Sequence, residues 1–535
     1  MKNHTIKYII LFLVLAGCGN KIDDISSKVH AQSVEIIQTQ IPVLTLKEGN
    51  QAFLMRINAG KINAEVKEIN IDLTGTSDLK DLENIKVFYR GENLQDSIQF
   101  GKTLSPSQQL SFKGKSSLTS GYGYFSVIVK LKDDADIFHS MVARCTDIKT
   151  SDATIIPDPN YKPLKLRFGT ALCQHNEDGV HTYRIPGIVR TNNGTLLAIF
   201  DRRVEARRDP QGLVNIGLKR STDGGNTWEL ARVILDLGNW GGLQPRMNGI
   251  TDACILVNPE NNDIFVGALW MHGQWVNGVW EGEPSDPNAA LGRKKGSQPG
   301  LTEKETCQFL LTKSTDDGVS WSAALNLTEI KDPEWKLYAL SPTNGICLAD
   351  GTLVFPSKVP GNVSLTYSKD GGQTWKGSNL GPKANGVENA IVQLEDGSIM
   401  MNARRAGESL YRTVFTTPDL GETWIEHPTN GSVLAGPGCL GSLYKHTYDQ
   451  DGEKKSILFF SNPNSTDKRE RMTIRASFDE GMTWPEECWI LLDEEKGAYS
   501  SITSVDDQTI GIMYEGSQSH ITFQKIAINE FIKHK

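Results

Sequence analysis

No Cys-x-x-Cys pair occurs in the 535 residues, and the eight cysteines lie far apart. The sequence therefore outlines neither a zinc site nor a dense disulfide framework. With Cys18 set aside, an odd number remain (Cys145, Cys173, Cys254, Cys307, Cys347, Cys439 and Cys488), which suits buried thiols in strands. Positive charge is also short: 56 Lys and Arg against 64 Asp and Glu leave a formal charge of -8. That balance argues against a nucleic-acid binder, although a local group of arginines could still hold a small anion at short range. Long apolar runs are missing too. The run Tyr8 to Ala16, preceded by Lys2 and Lys7, is far too short to span a bilayer as a mature helix, and it reads as an export signal.

What the chain does have is a repeat. Ser221, Asp223, Gly225 and Trp228 return with the same spacing as Ser314, Asp316, Gly318 and Trp321, and again as Ser368, Asp370, Gly372 and Trp375. Two more copies follow, at Thr417, Asp419, Gly421 and Trp424 and at Ser477, Asp479, Gly481 and Trp484. Aspartate followed two residues later by glycine is turn chemistry, because the carboxylate accepts from backbone amides ahead of it and glycine takes the positive φ of a tight corner. The tryptophan then begins the return strand with a large apolar face. Each copy is a predicted hairpin corner. The copies begin 93, 54, 49 and 60 residues apart. The last three spacings are near the roughly 40 to 50 residues of one four-stranded propeller blade, and the first leaves room for an extra loop or a blade without its box.

These five boxes resemble the Asp-boxes of the sialidase (neuraminidase) family. The fold class implied is all-β, a six-bladed β-propeller preceded by a small β-sandwich. Leu15 to Cys18 resembles the lipobox of bacterial lipoproteins, which would make Cys18 the lipidated first residue of an exported chain with residues 1–18 as its signal peptide. Gly19 after the cysteine and the pair Asp23 and Asp24 fit export to the outer membrane or cell surface, with the inner leaflet as the alternative and the lipid as the sole membrane attachment. The sandwich is expected over 31–147, where Val34 to Leu46, Ala64 to Leu73 and Tyr122 to Leu131 read as strands from their alternation and β-branched content. A linker over 148–165 contains Pro157, Pro159 and Pro163, and the propeller is expected over 166–535 at about 60 residues per blade.

Tyr183, Arg184, Ile185 and Pro186 open the propeller in a context similar to the first arginine of that family, whose three arginines clamp the carboxylate of sialic acid. A guanidinium fork makes paired, charge-assisted bonds to a carboxylate and stays protonated at any working pH. The resemblance implies Arg404 as the second, with Arg405 the competing choice, and Arg469 as the third, with Arg471 as its alternative. It also implies Tyr499 as the nucleophile, Glu388 as its base, and Asp209 as the acid that protonates the departing oxygen. Arg203, Asp252 and Gln308 are similar to substrate-contacting positions, although strand-end capping explains Asp252 and Gln308 equally well. The implied activity is an exo-sialidase acting on sialylated glycans without metal or cofactor. An intramolecular trans-sialidase or sialyl transferase would share these residues, and a binding propeller would need the arginines but not the phenol and its base.

Overall fold

The computed structural model describes residues 32–207, 212–240, 248–272, 274–276, 279–281, 297–383, 388–404 and 410–532. The fold is all-β. The lipobox and Cys18, the proposed acid Asp209, and Arg405 lie outside the described residues.

The N-terminal part has two antiparallel sheets. One runs in the order Ser33–Ile37, Asn50–Asn58, Tyr122–Leu131, Leu82–Tyr89, Ile98–Leu104. The other runs Thr154–Ile155, Arg144–Thr150, Ala64–Asp72, Gln109–Leu118. Alternate residues of each sheet enter one apolar core: Met55, Val127 and Val129 from the first meet Ile69, Ile71 and Phe112 from the second, all without solvent exposure. Full burial of each such side chain contributes about 1.5–3 kcal/mol. The stretch Val34 to Leu46 is not the single strand expected. Gln38–Pro42 separates Ser33–Ile37 from Val43–Thr45. Pro42 has no N–H to give to a ladder, and the second piece leaves to pair in parallel with Lys165–Cys173. The hairpin Arg144–Thr150/Thr154–Ile155 also extends the N-terminal sheets into the stretch read as a linker.

From Lys165 onward the described strands fall into six antiparallel groups and the hairpin Gln274–Val276/Val279–Glu281, and a parallel pairing joins the first two groups into one nine-stranded sheet. In five of them a box joins the third strand to the return strand, as Ser221 to Trp228 joins Val214–Ser221 to Arg232–Leu235. The box is a closed hydrogen-bond unit. Asp223 accepts from the Ser221 hydroxyl at 2.7 Å, the Thr227 amide at 2.9 Å and the Thr227 hydroxyl at 2.6 Å, while Trp228 Nε1 donates to the Gly225 carbonyl at 3.2 Å. The wide first spacing is an insertion within one group: the boxes at Ser221 and Ser314 belong to consecutive groups, and the extra residues lie between Ile264–His272 and Gln308–Ser314, where Gln274–Val276 pairs with Val279–Glu281. The sixth group has no box. It joins Ser500–Asp506, Thr509–Tyr514 and Ile521–Ala527 to Lys165–Cys173 from the far end of the domain.

The first strands of successive groups lie side by side, with Thr182–Arg190 next to both Asn248–Val257 and Ser500–Asp506. Side chains bridge these edges. The Ser501 hydroxyl accepts from the Ile188 amide at 3.0 Å and donates to Asn344 Oδ1 at 2.7 Å, and Asn344 Nδ2 donates to the Ile188 carbonyl at 2.8 Å. Strand edges that would otherwise be left with bare N–H and C=O groups are satisfied this way. Six of the seven described cysteines are buried, Cys347 is half-buried, and all are free thiols.

Candidate active site

Tyr499 stands just before Ser500–Asp506, and Glu388 just before Asn389–Gln393. Both side chains are buried, and the Tyr499 hydroxyl donates to Glu388 Oε1 at 2.6 Å. Burial first, and then the Glu388 carboxylate, push the phenol well above its ordinary range. The proton therefore stays on the phenol at rest and points at the group that could remove it. Arg404, at the end of Ile399–Ala403, donates from Nη1 to Glu388 Oε2 at 2.6 Å and to the Tyr499 hydroxyl at 3.3 Å. Its amide donates to the Glu388 carbonyl at 2.6 Å, so backbone and side chain are fixed together.

Arg184 arrives from the opposite end of the domain. The pairing of Thr182–Arg190 with Leu196–Arg203 shifts register between Arg184 and Gly187, and Ile185 sits at φ 58°. A β-branched residue in that region is strained and needs surrounding structure to hold it. Glu515 supplies the hold. It accepts the Ile185 amide at 3.0 Å and Arg184 Nε at 3.0 and 3.1 Å, while its own amide donates to the Tyr499 carbonyl at 3.0 Å. The Arg184 guanidinium carbon then lies 5.5 Å from the centre of the Tyr499 ring. Arg469 lies at 5.7 Å from the same ring, with Nη2 donating to the Gly438 carbonyl at 2.9 Å. Arg184, Arg404 and Arg469 thus gather around one phenol.

Arg203 is fully buried and makes a salt bridge from Nη2 to Asp201 Oδ2 at 3.0 Å, and its Nη1 donates to the Arg207 carbonyl at 3.0 Å. Burial raises Asp201 to about 7 against the pull of Arg203. Asp201 also accepts the Asp252 amide at 3.2 Å, which ties this pair to the next residue of the site. Asp252 has φ 58° and makes a salt bridge to Lys358 Nζ at 2.7 Å. Burial alone would raise Asp252, but the charges of Lys358, Arg203 and Arg184 hold it below its ordinary value. Gln308 does not join the group. It gives Nε2 to the Leu301 and Thr306 carbonyls and accepts Asn326 Nδ2 and the Thr328 hydroxyl, all near its own strand. Arg471 is exposed and lies 3.6 Å from Glu494.

With this geometry in hand, comparison with known proteins is informative. Residues 185–515 match the BNR repeat-like domain family, and residues 31–154 match the N-terminal domain of BNR-repeat neuraminidase. The chain belongs to the BNR-repeat sialidase family. A sialidase of Bacteroides fragilis is 35% identical over 542 residues, which cover 94% of this chain and 96% of that protein. The solved structure of a Hadza microbial sialidase, 31% identical, superposes with a TM-score of 0.84 over 93% of this chain and 99% of its own. An intramolecular trans-sialidase from Ruminococcus gnavus shares the fold at 20% identity and a TM-score of 0.53, over 68% of this chain and 98% of its own. As a sialidase (neuraminidase), the protein is a glycoside hydrolase.

Three residues of this sialidase's site were not singled out from sequence: Asp201, Lys358 and Glu515. Each carried a signal. Asp201 continues the apolar run Leu196 to Phe200, Lys358 sits inside the wholly buried strand Leu353–Val359, and Glu515 directly follows the buried strand Thr509–Tyr514. A charge embedded in such a run must find a partner, and a buried partnered charge is a site candidate.

Proposed function

We propose that the protein is an exo-α-sialidase that releases terminal sialic acids from glycoconjugates with retained configuration, through a covalent tyrosyl intermediate. The observation that carries this reading is the 2.6 Å hydrogen bond from the Tyr499 hydroxyl to Glu388, with Arg404 on both partners. A binding protein would need the arginines, but it has no use for a phenol aimed at a buried base.

In the proposed reaction Arg184, Arg404 and Arg469 receive the substrate carboxylate through charge-assisted bonds. Glu388 takes the phenolic proton as Oη forms a bond to the anomeric carbon, and the glycosidic C–O bond breaks as Asp209 gives its proton to the departing oxygen. Asp209, now a carboxylate, then takes a proton from water. The water oxygen displaces the tyrosine oxygen, and the phenol recovers its proton from Glu388. Two inversions give net retention, and sialidases with a tyrosine nucleophile depart in this way from the usual pair of carboxylates. A neutral phenol suits the task, because the anomeric carbon of sialic acid bears a carboxylate that would repel a charged nucleophile.

The same reading takes the six strand groups as blades of a propeller, supported by the ring-like succession of their first strands, and the two N-terminal sheets as a sandwich beside it. It keeps the lipid anchor at Cys18 and an outer-membrane location as proposals from the sequence. The deciding experiment is incubation with sialyllactose followed by proton NMR of the released sugar. Free sialic acid appearing first as the α-anomer is the expected result. First appearance of the β-anomer overturns retention, and an anhydro sugar or a resialylated acceptor replaces hydrolysis by transfer.

A further inference from the structure

Arg184 and Arg469 also line a cavity of about 680 Å³. Arg184, Arg207, Arg469, Lys496, His175 and His520 line it, and its one carboxylate among the described residues, Glu515, is already committed to Arg184 and the Ile185 amide. With Glu515 so engaged, Arg207, Arg469 and Lys496 face a common space without an ion-pair partner among the described residues. The Lys496 side chain is half-buried, and its ammonium makes no hydrogen bond or ion pair with any described residue. Half-burying an ammonium without a partner is costly, and a small anion in the cavity would remove the cost.

One imidazole adds a donor, since His175 Nδ1 is already bonded to the His181 carbonyl at 2.6 Å. His520 Nδ1 accepts the Tyr183 amide at 3.3 Å, so in the neutral ring the proton sits on Nε2. Burial, with Lys496 and His175 nearby, lowers His520 to about 4, so it meets a ligand near neutral pH as a neutral donor. His175 packs edge-on against it at 5.5 Å.

We infer that this cavity is a second oxyanion site, which takes an acidic group carried by the leaving sugar of an acidic glycan, such as a sulfate ester or the carboxylate of a second sialic acid. The inference rests on the function proposed above. The substrate carboxylate and the glycosidic oxygen are substituents of the same anomeric carbon. The cavity shares Arg184 and Arg469 with the carboxylate site and is lined by Arg207, two positions before the proposed acid Asp209, which puts it on the proposed leaving-group side.

The test compares kcat/KM for a disialyl oligosaccharide, whose leaving group is itself a sialic acid, with kcat/KM for monosialyl lactose at constant ionic strength. The wild-type enzyme and the variants Lys496→Gln, Lys496→Arg and His520→Gln are measured, with inorganic sulfate as a competitor in a parallel arm. The wild type should prefer the disialyl substrate. Lys496→Gln should cut that preference about tenfold, the effect of losing one charge-assisted hydrogen bond, while leaving monosialyl turnover near wild type, and Lys496→Arg should restore it. His520→Gln should lower the preference by less. An equal preference in wild type and Lys496→Gln, or none in the wild type, overturns the inference. Competition by sulfate that depends on Lys496, without a disialyl preference, assigns the cavity to a free anion and overturns the leaving-group assignment. Failure to cleave monosialyl lactose at all would instead strike the proposed function, so the two failures are distinct.

Discussion

The Asp-boxes and the cluster around Tyr499 are built from the same parts, a carboxylate, a hydroxyl and neighbouring N–H donors, and they do opposite things with them. In the box at Ser368, Asp370 finds its partners within a few residues: Ser368, the Thr374 amide and the Thr374 hydroxyl. At the site the partners are distant, with Tyr499 and Glu388 separated by 111 positions and Arg184 and Glu515 by 331. A local unit repeats because each copy needs only its own turn. A long-range cluster cannot repeat, and its charges are set against burial and against one another, which is how reactive groups acquire altered proton affinity. Repetition marks scaffold, and convergence marks chemistry.

The sharpest way to break this contrast is to exchange one oxygen. Tyr499→Phe should lower turnover of a fluorogenic sialoside at least about a thousandfold while circular dichroism and melting stay near wild type, since removing a nucleophile commonly costs even more. Near-normal turnover would return Tyr499 to the scaffold. A smaller effect is expected from Arg184→Ala, which should weaken binding of sialic acid about 10- to 100-fold by calorimetry, the worth of one or two bonds to a charged group. Unchanged affinity would remove Arg184 from the carboxylate clamp. On the scaffold side, Asp370→Asn should lower the melting temperature by a few degrees and leave kcat/KM unchanged, which a catalytic role for the box could not accommodate.

The smallest effect concerns acid. Asp316 and Asp370 are held down at about 2, first by hydrogen bonds from the Ser320 and Thr374 side chains. A carboxylate depressed below its ordinary value of about 3.9 stabilises the fold while ionised. That contribution is complete above the ordinary value and is lost as pH falls toward 2. Asp370→Asn should flatten the acid limb of the stability profile in that window. An unchanged limb would mean that the box aspartates titrate alike in folded and unfolded chains.

Much of this was legible in the chain before any coordinates. The boxes announced themselves because their chemistry is contiguous, and Arg184, Arg404, Arg469, Glu388 and Tyr499 each sit in a short context that the family resemblance could reach. What escaped were groups whose meaning lies in a partner far away. Glu515 becomes part of the site through Arg184, the Ile185 amide and the Tyr499 carbonyl, and Lys358 through Asp252. The wide first spacing was ambiguous for a related reason: sequence distance cannot separate a long loop from an extra strand group. Pro42 was visible, but only the parallel pairing with Lys165–Cys173 explains why the chain turns there.

The sheet that joins Lys165–Cys173 to Ser500–Asp506, Thr509–Tyr514 and Ile521–Ala527 also sets a schedule. Tyr499 and Glu515 lie in or beside its late-made strands, whereas Arg184 follows its early-made one. During vectorial synthesis five earlier strand groups emerge before Tyr499 and Glu515, so on the proposed mechanism a stalled or nicked polypeptide lacking residues 496–535 should be inert toward a sialoside rather than partly active. On that mechanism, the arrival of the final strands would time the enzyme's maturation.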